Sequence, residues 1–338
     1  MPAPSRLLVP ALILAVVGAL AGPLAAVAKT TETHPGANAL VRELRQETAA
    51  DAATVKRWRA LLRDAKKQDS ILAAISRPAE QTKPWKDYRP IFLTAKRRDD
   101  GIAFYREHRE LLEQIAHDTG VPAEIVVAII GVETSYGRIT GNYRVLDALA
   151  TLAFHYPPRA PFFRAELKQL LQLDGRLPQP IEQIKGSYAG AMGWGQFMPT
   201  SFAQWARDGD GDARIDLWGS RPDILHSVAN YFVAHGWTRG APVAGLAIAA
   251  PGSVPPEVRA TETIHSLDSL ARAGYTLAEQ FDGATPATLL ELEGAAGVEH
   301  WITFQNFYVI SRYNRSPMYS MAVWQLSQEI ARAGAPAP

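Results

Sequence analysis

Residues 131–137, Gly131-Val132-Glu133-Thr134-Ser135-Tyr136-Gly137, put one carboxylic acid at the end of an apolar segment. Just upstream, Val121-Pro122-Ala123-Glu124 marks a helix start, because a proline in the first turn sacrifices no hydrogen bond. Ile125, Ile129 and Glu133 then recur at i, i+4 and i+8, flanked by Val126 and Ile130, so Glu133 shares an aliphatic helix face. Gly137 supplies the stop. A carboxyl group held on such a face has its charged form disfavoured, which raises its pKa toward the range of a general acid near neutral pH. A second reading of the same segment is a glutamate turned to solvent at a fraying helix end.

The N-terminus bears on compartment. Arg6 precedes an uncharged run over residues 7–27, and Ala26-Val27-Ala28 has the small-x-small pattern of a signal-peptidase site. Residues 1–28 read as a signal peptide, with an uncleaved anchor as the alternative, and the mature chain is expected to begin near Lys29. The chain has no cysteine. That excludes structural disulfides, cysteine nucleophiles, cysteine zinc sites and a bacterial lipoprotein anchor. About 310 residues remain after the signal segment, enough for a substantial core. The formal net charge of +1 gives no electrostatic footprint for nucleic acid. The short basic clusters, Lys66-Lys67 and Lys96-Arg97-Arg98, are answered by Asp64, Asp69, Asp99 and Asp100 and read as solvated helix faces.

Residues 29–37 form a polar leader without periodicity, expected to be flexible. Helical patterning follows over 38–75, a break over 78–90, and long amphipathic helices from Phe92 into the 130s. Residues 144–173 continue as helix, interrupted at Tyr156-Pro157-Pro158. Asp147 sits early in that stretch, where a negative charge suits the helix dipole, and is read as structural. Near residue 240 the composition shifts toward Pro, Gly, Ala and Thr, with short strand patterns at 243–250, 288–293 and 300–304. A terminal helix is expected over 318–332. The fold class is α+β, mainly α, with a small β-rich part at about 241–302.

Two further blocks carry chemistry. Residues 185–199, Lys-Gly-Ser-Tyr-Ala-Gly-Ala-Met-Gly-Trp-Gly-Gln-Phe-Met-Pro, are poor helix material. Glycine permits close backbone approach to a ligand, the aromatic faces suit sugars, and Ser187 and Gln196 can bond hydroxyl or amide groups. A tightly packed Gly/Ala turn is the other reading. Residues 208–216, Asp-Gly-Asp-Gly-Asp-Ala-Arg-Ile-Asp, match the start of an EF-hand-type calcium loop. Asp208, Asp210 and Asp212 would supply carboxylates and Arg214 its backbone carbonyl. Ala213 stands where glycine is usual and Gly219 where a bidentate glutamate is usual, so Asp223 is the candidate replacement. The alternative is a solvated acidic turn.

Together these blocks resemble the lytic murein transglycosylases of the B type, glycoside hydrolase family 103. The resemblance also covers Leu146-Asp147-Ala148-Leu149-Ala150-Thr151-Leu152, residues 227–232, Ala234-His235-Gly236-Trp237, Asn306-Phe307-Tyr308 and Arg312-Tyr313-Asn314, and runs from about Trp85 to Trp324. It implies a lysozyme-like core at about 130–240 and 303–325, a surrounding helical part and the small β-rich part. It implies Glu133 as the sole catalytic acid/base, with no catalytic cofactor, cleaving peptidoglycan glycan strands and leaving 1,6-anhydromuramoyl ends. A muramidase using water and a non-catalytic peptidoglycan-binding protein are the alternatives. Substrate-binding residues carried by the resemblance are Tyr88, Arg159, Phe162, Ser187, Gln196, Tyr231, Tyr313 and Asn314. Phe162 stands where relatives have tyrosine, and Pro158-Arg159 where two arginines are common. A structural calcium ion in the 208–223 loop, a periplasmic location and no stable membrane anchor complete the expectations.

Overall fold

A computed structural model describes residues 34–76 and 83–334. The signal segment and most of the leader lie outside the described residues. The first helices are α1 (Ala37–Thr48), α2 (Ala52–Asp64), α3 (Asp69–Ile75), α4 (Trp85–Phe92), α5 (Ala95–Glu107), α6 (Arg109–Thr119) and α7 (Ala123–Thr134). Next come β1 (Tyr143–Arg144), α8 (Val145–His155), α9 (Ala160–Gln172), β2 (Lys185–Gly186), α10 (Pro199–Trp205) and α11 (Arg221–Ala234). The strand-bearing stretch holds β3 (Ala244–Leu246), β4 (Ile248–Ala249), β5 (His265–Ser266), α12 (Leu267–Arg272), β6 (Tyr275–Thr276), β7 (Pro286–Gly294) and β8 (Gly297–Phe304). Helices α13 (Gln305–Tyr313) and α14 (Pro317–Gly334) close the chain's described part. The α+β class, mainly helical with a small β-rich part, is therefore the observed one.

The described chain forms two compact units, residues 83–132 with 232–334 and residues 34–76 with 133–231. In the second unit, α8 is apolar on every side, and residues Val145 to Ala153 are all buried, as a central helix requires. Helices α2 and α9 pack onto it. Leu40, Val41 and Leu44 of α1 and Val55, Trp58, Leu61 and Leu62 of α2 are buried at helical spacing. The Trp58 indole donates to the Leu171 carbonyl at 2.9 Å. Asp147 is structural for a stronger reason than a dipole: its carboxylate takes an ion pair from Arg144 and the backbone N–H of Lys66 at 2.9 Å.

In the first unit, α14 packs against α4 and α5, and a four-stranded antiparallel sheet has the order β3-β8-β7-β5. Strands β7 and β8 pair from Ala287↔Phe304 to Gly294↔Gly297. Alternation puts Ala287, Leu289, Ile302 and Phe304 on one face, where they meet Leu270 and Tyr275 in a small core.

Two expectations need correction. The leader is fixed from His34 onward, since that side chain is 2% exposed, its Nε2 lies 3.2 Å from the Ala65 carbonyl, and helix starts at Ala37. The break expected over 78–90 instead contains α4, with Pro90 inside it. Trp85, Tyr88 and Phe92 lie on one helical face and are buried, and their burial outweighs the hydrogen bond that Pro90 removes. Residues 77–82 lie outside the described residues.

Candidate active site

Glu133 belongs to a helix that is buried all round rather than on one face: Ile125 to Ile130 are each at most 1% exposed. Glu133 itself is 7% exposed. Pro122 opens the helix by accepting from Ile125 N–H at 3.0 Å. At the other end the chain leaves α7 through consecutive left-handed residues, Ser135 (φ 50°), Tyr136 (φ 60°) and Gly137 (φ 79°). For the two non-glycine residues that conformation costs about 1–2 kcal/mol each, strain of the kind found at functional sites. The Thr134 hydroxyl holds the turn, accepting from Gly137 N–H at 3.0 Å and donating to the Trp194 carbonyl at 3.0 Å. Gly137 is more than a helix stop. A Cβ there would lie 2.0–2.5 Å from the Trp194 indole, so only glycine lets that ring cover the turn. Thus the residue after Glu133 is stapled to the Gly-rich block.

That block is a folded clip. Strand β1 pairs with β2, Tyr143 opposite Gly186, and Gly186 then bridges to Met192 and Met192 to Phe197. The two-way bonds between Met192 and Phe197, both 2.9 Å, pinch residues 193–196 into a tight loop in which Gln196 adopts φ 52°. Ser187 is 7% exposed, and its hydroxyl accepts from Ala191 N–H at 3.0 Å. The Gln196 amide donates to the Gly193 and Thr140 carbonyls at 2.9 and 3.2 Å, which fixes its orientation. Its Oε1 is buried and has no protein donor. A buried acceptor left open in this way suits a ligand hydroxyl or N–H.

Sequence reading missed Glu166. It is 3% exposed and takes the backbone N–H and hydroxyl of Thr200 at 2.9 and 2.7 Å, locking the start of α10 just after the clip. Burial pushes its carboxyl above the ordinary value, against the opposing pull of the Thr200 bonds and the Arg159 charge. Its only sequence signal was a charged residue amid the apolar spacing of α9. Arg159 lies 4.5 Å from the Phe162 ring centre and 5.1 Å from that of Phe163, a cation–π contact with both rings.

Tyr231 is 8% exposed, set edge-on against Phe197 and Trp205. Tyr88, in the other unit, is 1% exposed between Trp85 and Phe92, because the buried face of α4 carries all three rings. Tyr313 remains half-buried beside Phe232, with ring centres 5.9 Å apart, and Asn314 is 7% exposed, its Oδ1 accepting from Ser316 N–H at 3.1 Å.

In the acidic loop, oxygen atoms of Asp208, Asp210 and Asp212 all come within 4.8 Å of one another, and the three residues are exposed. Asp208 is oriented by the N–H groups of Gly211 and Ala213, and Asp212 by that of Arg214. This donor set, hard oxygens on a pre-bent loop, fits a calcium ion. Ala213 adopts φ 65°, which explains why glycine is usual there. Asp223, the candidate replacement ligand, ties the loop to the following helix. It is 1% exposed, and its two oxygens accept from Gly209 and Asp216 N–H, each at 2.7 Å, joining loop to α11.

Residues 36–328 match the Transglycosylase SLT domain family. The chain is 43% identical over 282 residues to membrane-bound lytic murein transglycosylase B of Escherichia coli (strain K12), covering 81% of this chain and 77% of that protein. The crystal structure of soluble lytic transglycosylase SltB1 of Pseudomonas aeruginosa superposes with a TM-score of 0.82 at 45% identity, covering 89% and 100% of the two chains. Escherichia coli lytic transglycosylase Slt35, solved in complex with calcium, gives 0.79 at 38% identity, covering 89% and 94%. The chain belongs to this transglycosylase family. It is a lytic transglycosylase with the lysozyme-like core of its structural neighbours. Among the described residues no single helix is long and apolar enough to cross a membrane.

Proposed function

We propose that Glu133 cleaves the β-1,4 bond between N-acetylmuramic acid and N-acetylglucosamine in peptidoglycan, as acid and then as base. Its proton passes to the glycosidic oxygen as that bond breaks. The carboxylate then takes the proton of the muramoyl 6-hydroxyl, whose oxygen closes on the anomeric carbon to give the 1,6-anhydro end. No water is consumed. One carboxylate suffices because the N-acetyl oxygen can stabilise the positive anomeric carbon, as in substrate-assisted glycosidases. An intramolecular hydroxyl can outcompete water through its high effective concentration.

The observation that carries this reading is the setting of Glu133: it is 7% exposed at the end of the aliphatic helix α7, directly before the strained left-handed turn, and the next residue, Thr134, is bonded to Trp194 of the clip. The open Gln196 Oε1 and the Ser187 hydroxyl are the groups assigned to the substrate's N-acetyl and hydroxyl donors, with Phe162 and Arg159 as further glycan-binding residues of the same unit; Tyr313 and Asn314, in the other unit, are assigned to glycan binding by the resemblance. Asp208, Asp210, Asp212 and the Arg214 carbonyl would hold a structural calcium ion, supplying charge neutralisation that braces the loop and no step of the reaction. Export through residues 1–28 to the periplasm brings enzyme and wall together.

Mass spectrometry of products from purified sacculi tests the assignment. The wild type should release anhydromuramoyl ends, and Glu133→Gln should bind sacculi without releasing them. Reducing ends from the wild type would make it a muramidase. Near-normal turnover by the variant would overturn Glu133.

A further inference from the structure

Away from Glu133 and the clip, a cleft of about 820 Å³ opens within the unit of residues 83–132 and 232–334. Its walls come from α4, α14, β3 and the tip of the β7–β8 hairpin. This volume falls within the roughly 300–1,000 Å³ typical of small-molecule sites. Three indoles line it: Trp301 and Trp324 half-buried, and Trp85 only 1% exposed. The Trp85 N–H is buried without a protein acceptor, a state that costs about 1–3 kcal/mol until an acceptor arrives.

The polar lining is preset. The Arg89 Nε–H donates to Gln325 Oε1 at 2.7 Å, which leaves the amide N–H groups of Gln325 for a ligand. The Trp301 indole donates to Glu299 at 3.1 Å, fixing that ring. Trp324, Gln328 and Arg332 recur at i, i+4 and i+8 along α14, so an indole, an amide and a guanidinium form one stripe on the cleft wall. Of the charges lining the cleft, Lys86 is paired with Glu293, and Arg89 and Arg332 stand against Glu299 and Glu329, so no strong field selects an anion.

We propose that this cleft is a second carbohydrate site, holding a short run of β-1,4-linked N-acetylamino sugars away from the reacting bond. The half-buried Trp301 and Trp324 indoles take the C–H faces of the rings, while the Gln325 and Gln328 amides and the Trp85 N–H bond hydroxyl and N-acetyl oxygens. That the bound sugar belongs to peptidoglycan rests on the function proposed above; that it is an N-acetylated glycan rests on the cleft alone. Its role would be to hold the enzyme on the wall between cleavage events.

The test uses the full chain carrying Glu133→Gln, titrated calorimetrically with chitotetraose and sedimented with sacculi. Adding Trp324→Ala, or Gln328→Ala, which leaves the packed indoles in place, should remove one class of chitotetraose site. Each should also weaken sacculus binding fivefold or more. In the Glu133 background the same changes should leave kcat/KM on short soluble glycan fragments unchanged. If both variants bind chitotetraose and sacculi as the parent does, the second site is overturned. Loss of chitotetraose binding in the cleft variants, together with no glycan product released from sacculi by the protein that retains Glu133, would uphold the cleft and overturn the proposed function instead.

Discussion

Glu133 and the acidic loop handle negative charge in opposite ways. Glu133 stands 7% exposed at the end of an aliphatic helix, in a turn of left-handed residues clamped to Trp194. Asp208, Asp210 and Asp212 are exposed, crowded together and oriented by the loop's own N–H groups. Burial suits a group that must carry and release one proton, whereas crowding in solvent suits groups that share a cation. On the proposed function, the loop should lose a carboxylate and remain folded around Asp223, whereas loss of the acid at the helix end should abolish turnover.

The largest expected effect breaks the comparison on the catalytic side. Glu133→Gln should cut turnover by about 10²–10⁴-fold, the scale of a lost acid/base, with little change in melting temperature. Next, Gly137→Ala drives a methyl group into the Trp194 indole and should cost about 3 kcal/mol or more by denaturant unfolding. Gly175→Ala is its control: φ is 77° there too but nothing lies within 4 Å, so only the left-handed penalty of about 1 kcal/mol remains. On the loop side, Asp223→Ala should cost about 2 kcal/mol with or without chelator, since two part-buried N–H groups lose their acceptor. Asp208→Ala with Asp212→Ala should instead remove the calcium-dependent part of the melting temperature. A chelator-dependent loss in the Asp223 variant would return that residue to the ligand set.

A smaller effect concerns pH. Burial raises the Glu166 carboxyl, so the folded state holds its proton more tightly than the unfolded chain. Its contribution to stability is therefore greatest at low pH and declines as pH climbs from the ordinary value near 4.5 through the raised one. Glu166→Gln should lack this decline, and its stability relative to wild type should rise over that interval in urea titrations at stepped pH. A parallel pair of curves would show that Glu166 is ordinary. Smallest, Ala213→Gly should stabilise the loop by less than about 1 kcal/mol, because relief of φ 65° is partly offset by the freer unfolded chain.

Much of this was legible in the sequence because it is local. The start at Pro122, the apolar run to Ile130 and the stop at Gly137 mark α7, and aspartates at alternate positions mark the loop. What escaped notice depended on distant partners. Helix α4 crosses Pro90 because its three aromatic residues are buried. Glu166 looked like an ordinary charge on an amphipathic helix until Thr200, 34 residues later, met it.

The sequence by itself determined the segment 131–137, the Gly-rich block, the acidic loop and the mainly helical class, since helix periodicity and ligand spacing are properties of neighbouring residues. Only the tertiary structure decided that Glu133 is buried, and that Asp147 meets Arg144, Glu166 meets Thr200 and Asp223 ties the acidic loop. It alone decided that Gly137 makes room for Trp194 and that three tryptophans share a cleft. Burial and partnership depend on which remote side chain fills the adjacent space, and no spacing along the chain encodes that directly.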